Sequence, residues 1–221
     1  MDLMSRLTRY RLAHARRPTG RFGRLLISAM NLSHVQLTNW GLSHLTVGEQ
    51  FTVLDVGCGG GGALRKLAKR TVQGKVLGID PSGASVAVAR SALENETRSG
   101  RVFLVQGEVS ALPYADDTAD LVTGVNTHLY WPNLPGDLRE IRRVLKPEGA
   151  LAIVSSVREG GKHAERNRKY AEILGIAFPD VEELVKQFVA AGFSVVETHV
   201  EARKDWICVT GQKPQATGTS R

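Results

Sequence analysis

The chain has little cysteine, no long apolar run and almost no acid near its start. Only Cys58 and Cys208 occur among 221 residues, too few for a disulfide framework or a cysteine-based metal site. No stretch of about 18 consecutive apolar residues is present, so a membrane-spanning helix is excluded on length. A secretory signal pattern is missing as well, and the expectation is a soluble protein in a reducing, cytoplasmic setting. His34 and His44 do not have metal-ligand spacing, and no metal dependence is expected.

What is present is enough apolar residue, 42% of the chain, to close one ordinary globular core. The formal charge of +7 is unevenly placed. Seven arginines (Arg6, Arg9, Arg11, Arg16, Arg17, Arg21, Arg24) face the single acid Asp2 within residues 1–24, and the remainder is nearly neutral. Leu3, Met4, Leu7 and Tyr10 recur there at helical spacing. Such a start suits a phosphate-tracking arm, a contact with anionic lipid, a transit segment or a solvated helix face.

A break at Pro18-Thr19-Gly20 precedes a second helical stretch near 22–45. After Gly48 short β-rich runs alternate with helical ones: FTVLDV, ALRKLAKR, KVLGID, ASVAVARSALENE, RVFLVQ, ADLVTGV, DLREIRRVL and ALAIVSSV. That alternation predicts an α/β fold with a parallel sheet and helices on both faces. A polar helical segment follows at 162–174, then a helix opened by Asp180 and ended near Gly192. FSVVETHV and DWICVTGQ, a few residues apart, should pair as an antiparallel hairpin.

The string VLDVGCGGGG runs a buried strand through a glycine cluster into a helix, which lets backbone and ligand approach closely. Gly57, Gly59 and Gly62 also spell GxGxxG, so the string alone admits a nicotinamide or flavin dinucleotide. Asp55 lies within the strand, and Asp80 closes the next one in KVLGIDPS, where an aspartate can accept both hydroxyls of a ribose. Asp80 could instead cap the following helix, although Ser82 is available for that role.

These strings, with Gly107-Glu108-Val109, SALPYADDTADLV and RRVLKPEGALAIV, resemble the class I S-adenosylmethionine-dependent methyltransferase superfamily over residues 51–212. Within it they resemble the type 11 group that includes ubiquinone/menaquinone-biosynthesis enzymes. The resemblance implies a Rossmann-like, mostly parallel seven-stranded sheet with an antiparallel last strand. It divides the chain into a helical cap at 1–48, a catalytic core at 49–213 and a flexible tail at 214–221. It assigns the methionine-binding loop to Asp55, Gly57, Cys58, Gly59 and Gly61, and the ribose acid to Asp80 with Pro81 and Ser82 beside it. Gly107, Glu108 and Val109 would approach the adenine, with glutamate where the family pattern has aspartate. Asn126 and Thr127, after strand four, would border the cofactor, S-adenosylmethionine.

Methyl transfer from a sulfonium is an in-line displacement for which alignment and desolvation supply much of the acceleration. A base is optional, and a positioned one contributes about 10²- to 10⁴-fold. His128 is the base candidate, since imidazole titrates near neutral pH, and Tyr130 is a second catalytic candidate. Tyr10, Phe22, His34, Trp40 and His44 are the cap residues that could reach the pocket. The expected acceptor is a small molecule, methylated on O, N or C. The alternatives are an RNA substrate held by the arginine-rich start and a cofactor-binding protein without catalysis. A dehydrogenase reading lacks a segment for a second catalytic region.

Overall fold

A computed structural model describes residues 23, 27, 31–158, 161–174 and 180–215, with the side chains at 166, 170, 173 and 174 left out of that description. Tyr10, Phe22 and the arginine-rich segment lie outside these residues. Seven strands are found among the described residues: β1 Thr52–Val56, β2 Lys75–Asp80, β3 Val102–Gln106, β4 Ala119–Val125, β5 Leu145–Ser155, β6 Ser194–Glu201 and β7 Trp206–Gln212. They form one sheet in the order β3-β2-β1-β4-β5-β7-β6. The first five pair in parallel, and β7 inserts antiparallel between β5 and β6. This is the sheet that the resemblance implies.

The helices are α1 Val35–Ser43, α2 Gly62–Arg70, α3 Gly83–Ala92, α4 Glu94–Arg98, α5 Leu134–Val144, α6 Ala164–Leu174 and α7 Val181–Ala190. β1 sits at the centre and is buried from its second residue to its last, as a parallel strand covered on both faces must be. Its side chains alternate between layers. Leu54 and Val56 join Leu138, Ile141 and Phe188 on one face, while Val53 joins Leu64, Leu67 and Leu104 on the other.

Local chemistry sets the helix ends. The Asp180 carboxylate accepts the Glu183 N–H at 2.6 Å to open α7, a cap worth about 1 kcal/mol. Gly192 stands just beyond it at φ +88°. The run ASVAVARSALENE is not one helix: Leu93, at φ −124° and ψ 35°, divides α3 from α4. Its buried side chain reaches the glycine loop, where a methyl on Gly61 would come within 3.1 Å of it. Gly41 lets α1 lie directly on β5, since a Cβ there would meet Val154 at 2.5 Å. None of the helices among the described residues is long and apolar enough to cross a membrane.

Candidate active site and cofactor cavity

The parallel strands end together around a cavity bordered by the glycine loop, β2, β4 and the helical cap. This is the crevice that open α/β sheets use for ligands. Between β1 and α2 the chain turns through Gly57, Gly59 and Gly61 at φ +74°, +52° and +82°, a conformation that costs a side-chain-bearing residue about 1–2 kcal/mol at each position. Gly57 also needs its smallness, because a Cβ would sit 2.5 Å from Thr127 Cγ2. At Gly59 nothing lies within 4 Å of an added Cβ, so that glycine faces open cavity. Gly60 is pressed by the cap: a Cβ there would meet Ile27 at 2.5 Å as well as Asn31.

The loop's amides have internal partners. Gly57 and Cys58 both donate to the Ile79 carbonyl at 2.8 and 3.0 Å, and Gly61 donates to the Cys58 carbonyl at 3.0 Å. Gly59 donates to Asp80 Oδ2 at 2.9 Å. A pyrophosphate cradle requires such amides to point at the ligand, and here four of them do not. Charge points the same way. Asp55, Asp80 and Glu108 line the cavity, against Lys66 as the cation among the described lining residues. An acid-rich wall repels a pyrophosphate and suits a ligand carrying cationic groups and sugar hydroxyls.

Asp80 is held for such a task. Ser82 N–H donates to its Oδ1 at 2.9 Å, Gly59 to Oδ2, and the Ser85 side chain bonds the same carboxylate, which leaves part of the acceptor capacity of its two oxygens free. Ser82, not Asp80, caps α3, accepting the Ser85 N–H at 3.2 Å. Burial raises the Asp80 pKa, while the two backbone donors and Ser85 oppose that rise. Asp55 is more deeply buried. Thr123 Oγ1 donates to its Oδ1 at 2.7 Å, yet desolvation, reinforced by nearby Asp80, pushes its pKa up to about 7. Burial also keeps the Cys58 thiol protonated.

Across the cavity a second group of side chains meets. Asn126, at φ +55°, accepts the Ser156 N–H on Oδ1 at 2.7 Å and donates from Nδ2 to Ser156 Oγ at 3.0 Å. A backbone N–H can only donate, which fixes the amide orientation and turns Nδ2 toward His34 Nε2, 3.1 Å away. His34 Nε2 is then an acceptor, and its proton resides on Nδ1. Burial lowers the His34 pKa, consistent with this neutral form. Thr127 Oγ1 donates to the Val56 carbonyl at 2.9 Å, tying the end of β4 to that of β1.

Most of the expected site residues border the cavity: Asp55, Gly57, Cys58 and Gly59 from the loop, Asp80 and Pro81 from β2, Gly107, Glu108 and Val109 after β3, and Asn126, Thr127 and Tyr130 after β4. Gly61, Ser82 and His128 do not. Gly61 shapes the turn and Ser82 caps a helix. The expectation that His128 faces the acceptor is corrected. The one-turn helix His128–Tyr130 leaves Tyr130 on the cavity and buries His128, 4% exposed. Desolvation pushes its pKa down to about 4, and Nδ1 has no hydrogen-bond partner. Of the cap candidates His34 reaches the cavity, whereas Trp40 packs on Trp206, and His44 stacks on His199 with centroids 4.1 Å apart. Asn31, Lys66 and Ser85 also line it, and no local motif singles them out. Among the described residues no cluster of three or more histidine, cysteine or acidic side chains is arranged to hold a metal ion.

A family model described as a methyltransferase domain matches residues 53–149, the span from the glycine loop to the start of the β5 core. The chain is a class I S-adenosylmethionine-dependent methyltransferase. It is 26% identical over 180 residues to the uncharacterized methyltransferase YdaC of Bacillus subtilis, covering 80% of this chain and 92% of that protein. The sterol 24-C-methyltransferase of Saccharomyces cerevisiae is 30% identical over 161 residues, 69% of this methyltransferase but only 42% of the yeast enzyme. A solved SAM-dependent methyltransferase from Aquifex aeolicus superposes with a TM-score of 0.69 at 26% identity, covering 86% of this chain and 97% of that one. The matched model is described only as a methyltransferase domain and does not single out the type 11 group.

Proposed function

We propose that this methyltransferase acts on a small molecule at O, N or C, with the cofactor held along the glycine loop and the acceptor at the His34–Asn126–Tyr130 end. The observation that carries the site assignment is the acid-lined cavity, whose loop amides are bonded internally and whose Asp80 carboxylate borders it with acceptor capacity to spare. When bound, S-adenosylmethionine supplies an electrophilic methyl on a sulfonium, displaced in line.

The side chains then have distinct tasks. Asp80 accepts the two ribose hydroxyls and fixes the sugar. Asp55, on the central strand, offers a carboxylate to the cationic methionine end. Glu108, behind β3, stands where the adenine amino group would lie, its longer side chain replacing the family's aspartate. Asn126 and Thr127 close the cavity between β4 and the loop. Tyr130 and Trp131 form an aromatic wall that excludes water from the acceptor end, and the neutral imidazole of His34 is a polar group available to orient the acceptor. Desolvation and alignment by this wall carry the rate, with no dedicated base required. The cap at 1–48, the core at 49–213, the type 11 grouping and a cytoplasmic location are part of this reading. The small-molecule acceptor is favoured by the sterol methyltransferase relative and by the absence, among the described residues, of an aromatic strand platform for nucleic acid.

Calorimetric titration tests it, with S-adenosylmethionine and then NADH in the same preparation. The expected result is binding of the former alone, and an Asp80→Ala variant about 100-fold weaker, the loss expected for two hydrogen bonds to a charged acceptor. NADH binding, or unchanged affinity in a folded Asp80→Ala protein, would overturn the assignment.

A further inference from the structure

At the acceptor end of the cavity the hydrogen-bonding role of His34 is fixed from behind. The ring borders the cavity together with Tyr130 and Trp131, and its Nε2 lies 3.1 Å from Asn126 Nδ2. The Asn126 amide cannot turn over. Its Oδ1 accepts the Ser156 N–H at 2.7 Å, and its Nδ2 donates to the Ser156 hydroxyl at 3.0 Å. A ring nitrogen facing an N–H must present its lone pair, so the imidazole proton stands on Nδ1. No bond from a described residue reaches Nδ1, and Nδ1 is not one of the buried polar atoms without a partner, so this N–H is accessible.

With Nε2 engaged and Nδ1 protonated, the neutral ring has no lone pair free for a proton, and burial disfavours its charged form. His34 is thereby a donor and not a base. Thr38, which also lines the cavity, spends its hydroxyl proton on the His34 carbonyl at 2.8 Å. An N–H facing a ligand suits an oxygen, and it binds that oxygen most strongly when the oxygen is ionised. Phenolic and enolic hydroxyls ionise far more readily than those of alkyl alcohols, so they are the class on which such a donor acts. The Tyr130 and Trp131 rings beside His34 suit a planar acceptor of this kind.

We infer that His34 donates its Nδ1–H to the oxygen of a phenol or enol acceptor, and that Asn126, braced by Ser156, is the positioning residue that keeps the proton on Nδ1. The hydroxyl proton leaves to solvent. The ionised oxygen forms its bond to the methyl carbon through a remaining lone pair, and the carbon–sulfur electron pair returns to sulfur as a neutral thioether. This deepens the small-molecule reading and rests on it, since it takes the acceptor to sit at the His34 end.

The test needs no turnover. Full-length protein saturated with S-adenosylhomocysteine, which lacks the sulfonium charge, is titrated with p-nitrophenol across a pH series, and ionisation of the bound probe is read by absorbance. The ratio of phenolate to phenol affinity should be about tenfold higher in the parent than in His34→Phe, the scale of one hydrogen bond to a charged acceptor. Asn126→Asp tolerates the φ of +55° but replaces the Nδ2 donor by an acceptor oxygen. It should draw the ring proton to Nε2, seen by nitrogen NMR of His34 at a pH where the ring is neutral, and lower the phenolate preference as His34→Phe does. A histidine with only a structural role would leave that ratio unchanged in both variants. Failure of p-nitrophenol to bind, an equal ratio in parent and His34→Phe, or a parental His34 protonated on Nε2 each overturns the assignment. Calorimetric titration with S-adenosylhomocysteine separates the two readings: no binding by the parent sinks the cofactor site and this role with it, whereas parental binding with an unchanged phenolate ratio sinks only the role of His34.

Discussion

The two ends of the cavity are built differently. At the glycine end, neighbouring residues in one continuous strand-loop-helix do nearly everything: three left-handed glycines set the path, and four backbone amides are satisfied by Ile79, Asp80 and the loop itself. At the opposite end the contacts come from three distant places, His34 on the cap, Asn126 after β4 and Ser156 after β5, joined through side chains. The first end depends on backbone geometry and tolerates almost no substitution. The second depends on a small polar network whose members can be removed one at a time.

The sharpest way to break that contrast is at Gly57. Gly57→Ala places a methyl 2.5 Å from Thr127 Cγ2 at φ +74°. The combined strain and overpacking should cost about 3 kcal/mol or more, read as a lower denaturation midpoint together with loss of cofactor binding. An unchanged midpoint would mean that the loop is softer than its geometry indicates.

Asn126→Gly probes the other end. Glycine accepts the φ of +55°, so the variant deletes only the amide and leaves the Ser156 N–H without its acceptor. A loss of about 1–2 kcal/mol is expected, with cofactor affinity reduced less than about tenfold. In the NMR titration of His34 the imidazole should also lose its single-tautomer signature. Should Asn126→Gly abolish cofactor binding as completely as Gly57→Ala, the two ends would be one unit.

The smallest effect concerns protons. Because its folded pKa is raised, Asp55 stays protonated in the ligand-free fold between its ordinary value of 3.8 and about 7. Its contribution to stability therefore falls as pH rises across that window and is constant above it. A cationic ligand reverses the preference. Cofactor affinity should rise by up to about tenfold per pH unit until about pH 7 and then level off, and Asp55→Asn should flatten that profile. A flat profile in the parent protein would remove Asp55 from contact with the cation.

The same contrast explains what could be read in advance. The strand alternation, the hairpin, the Asp180 cap and the glycine loop are local patterns, so residues 51–212 yielded the sheet and most of the loop-side lining. His128 misled because sequence places it after β4 but does not say which way a one-turn helix rotates its side chains. Two residues along that turn separate a buried imidazole from Tyr130 on the wall. The His34–Asn126–Ser156 contacts carry no motif, since they span 92 and 30 residues and exist only once β4, β5 and the cap are in register. Lys66 and Ser85 sit on amphipathic helices whose inward-facing residues look like any other helix's.

The Asn126 amide also has a mechanical consequence. By gripping both the backbone and the hydroxyl of Ser156, it clamps the tips of β4 and β5 together, so this wall is braced independently of the glycine loop. The cap is joined to that same wall, His34 Nε2 accepting from Asn126 Nδ2 at 3.1 Å and Leu37 packing on Val154 of β5, while Ile27 and Asn31 rest on the bare backbone of Gly60. Parting the cap from the wall would therefore cost both a polar contact and buried apolar area.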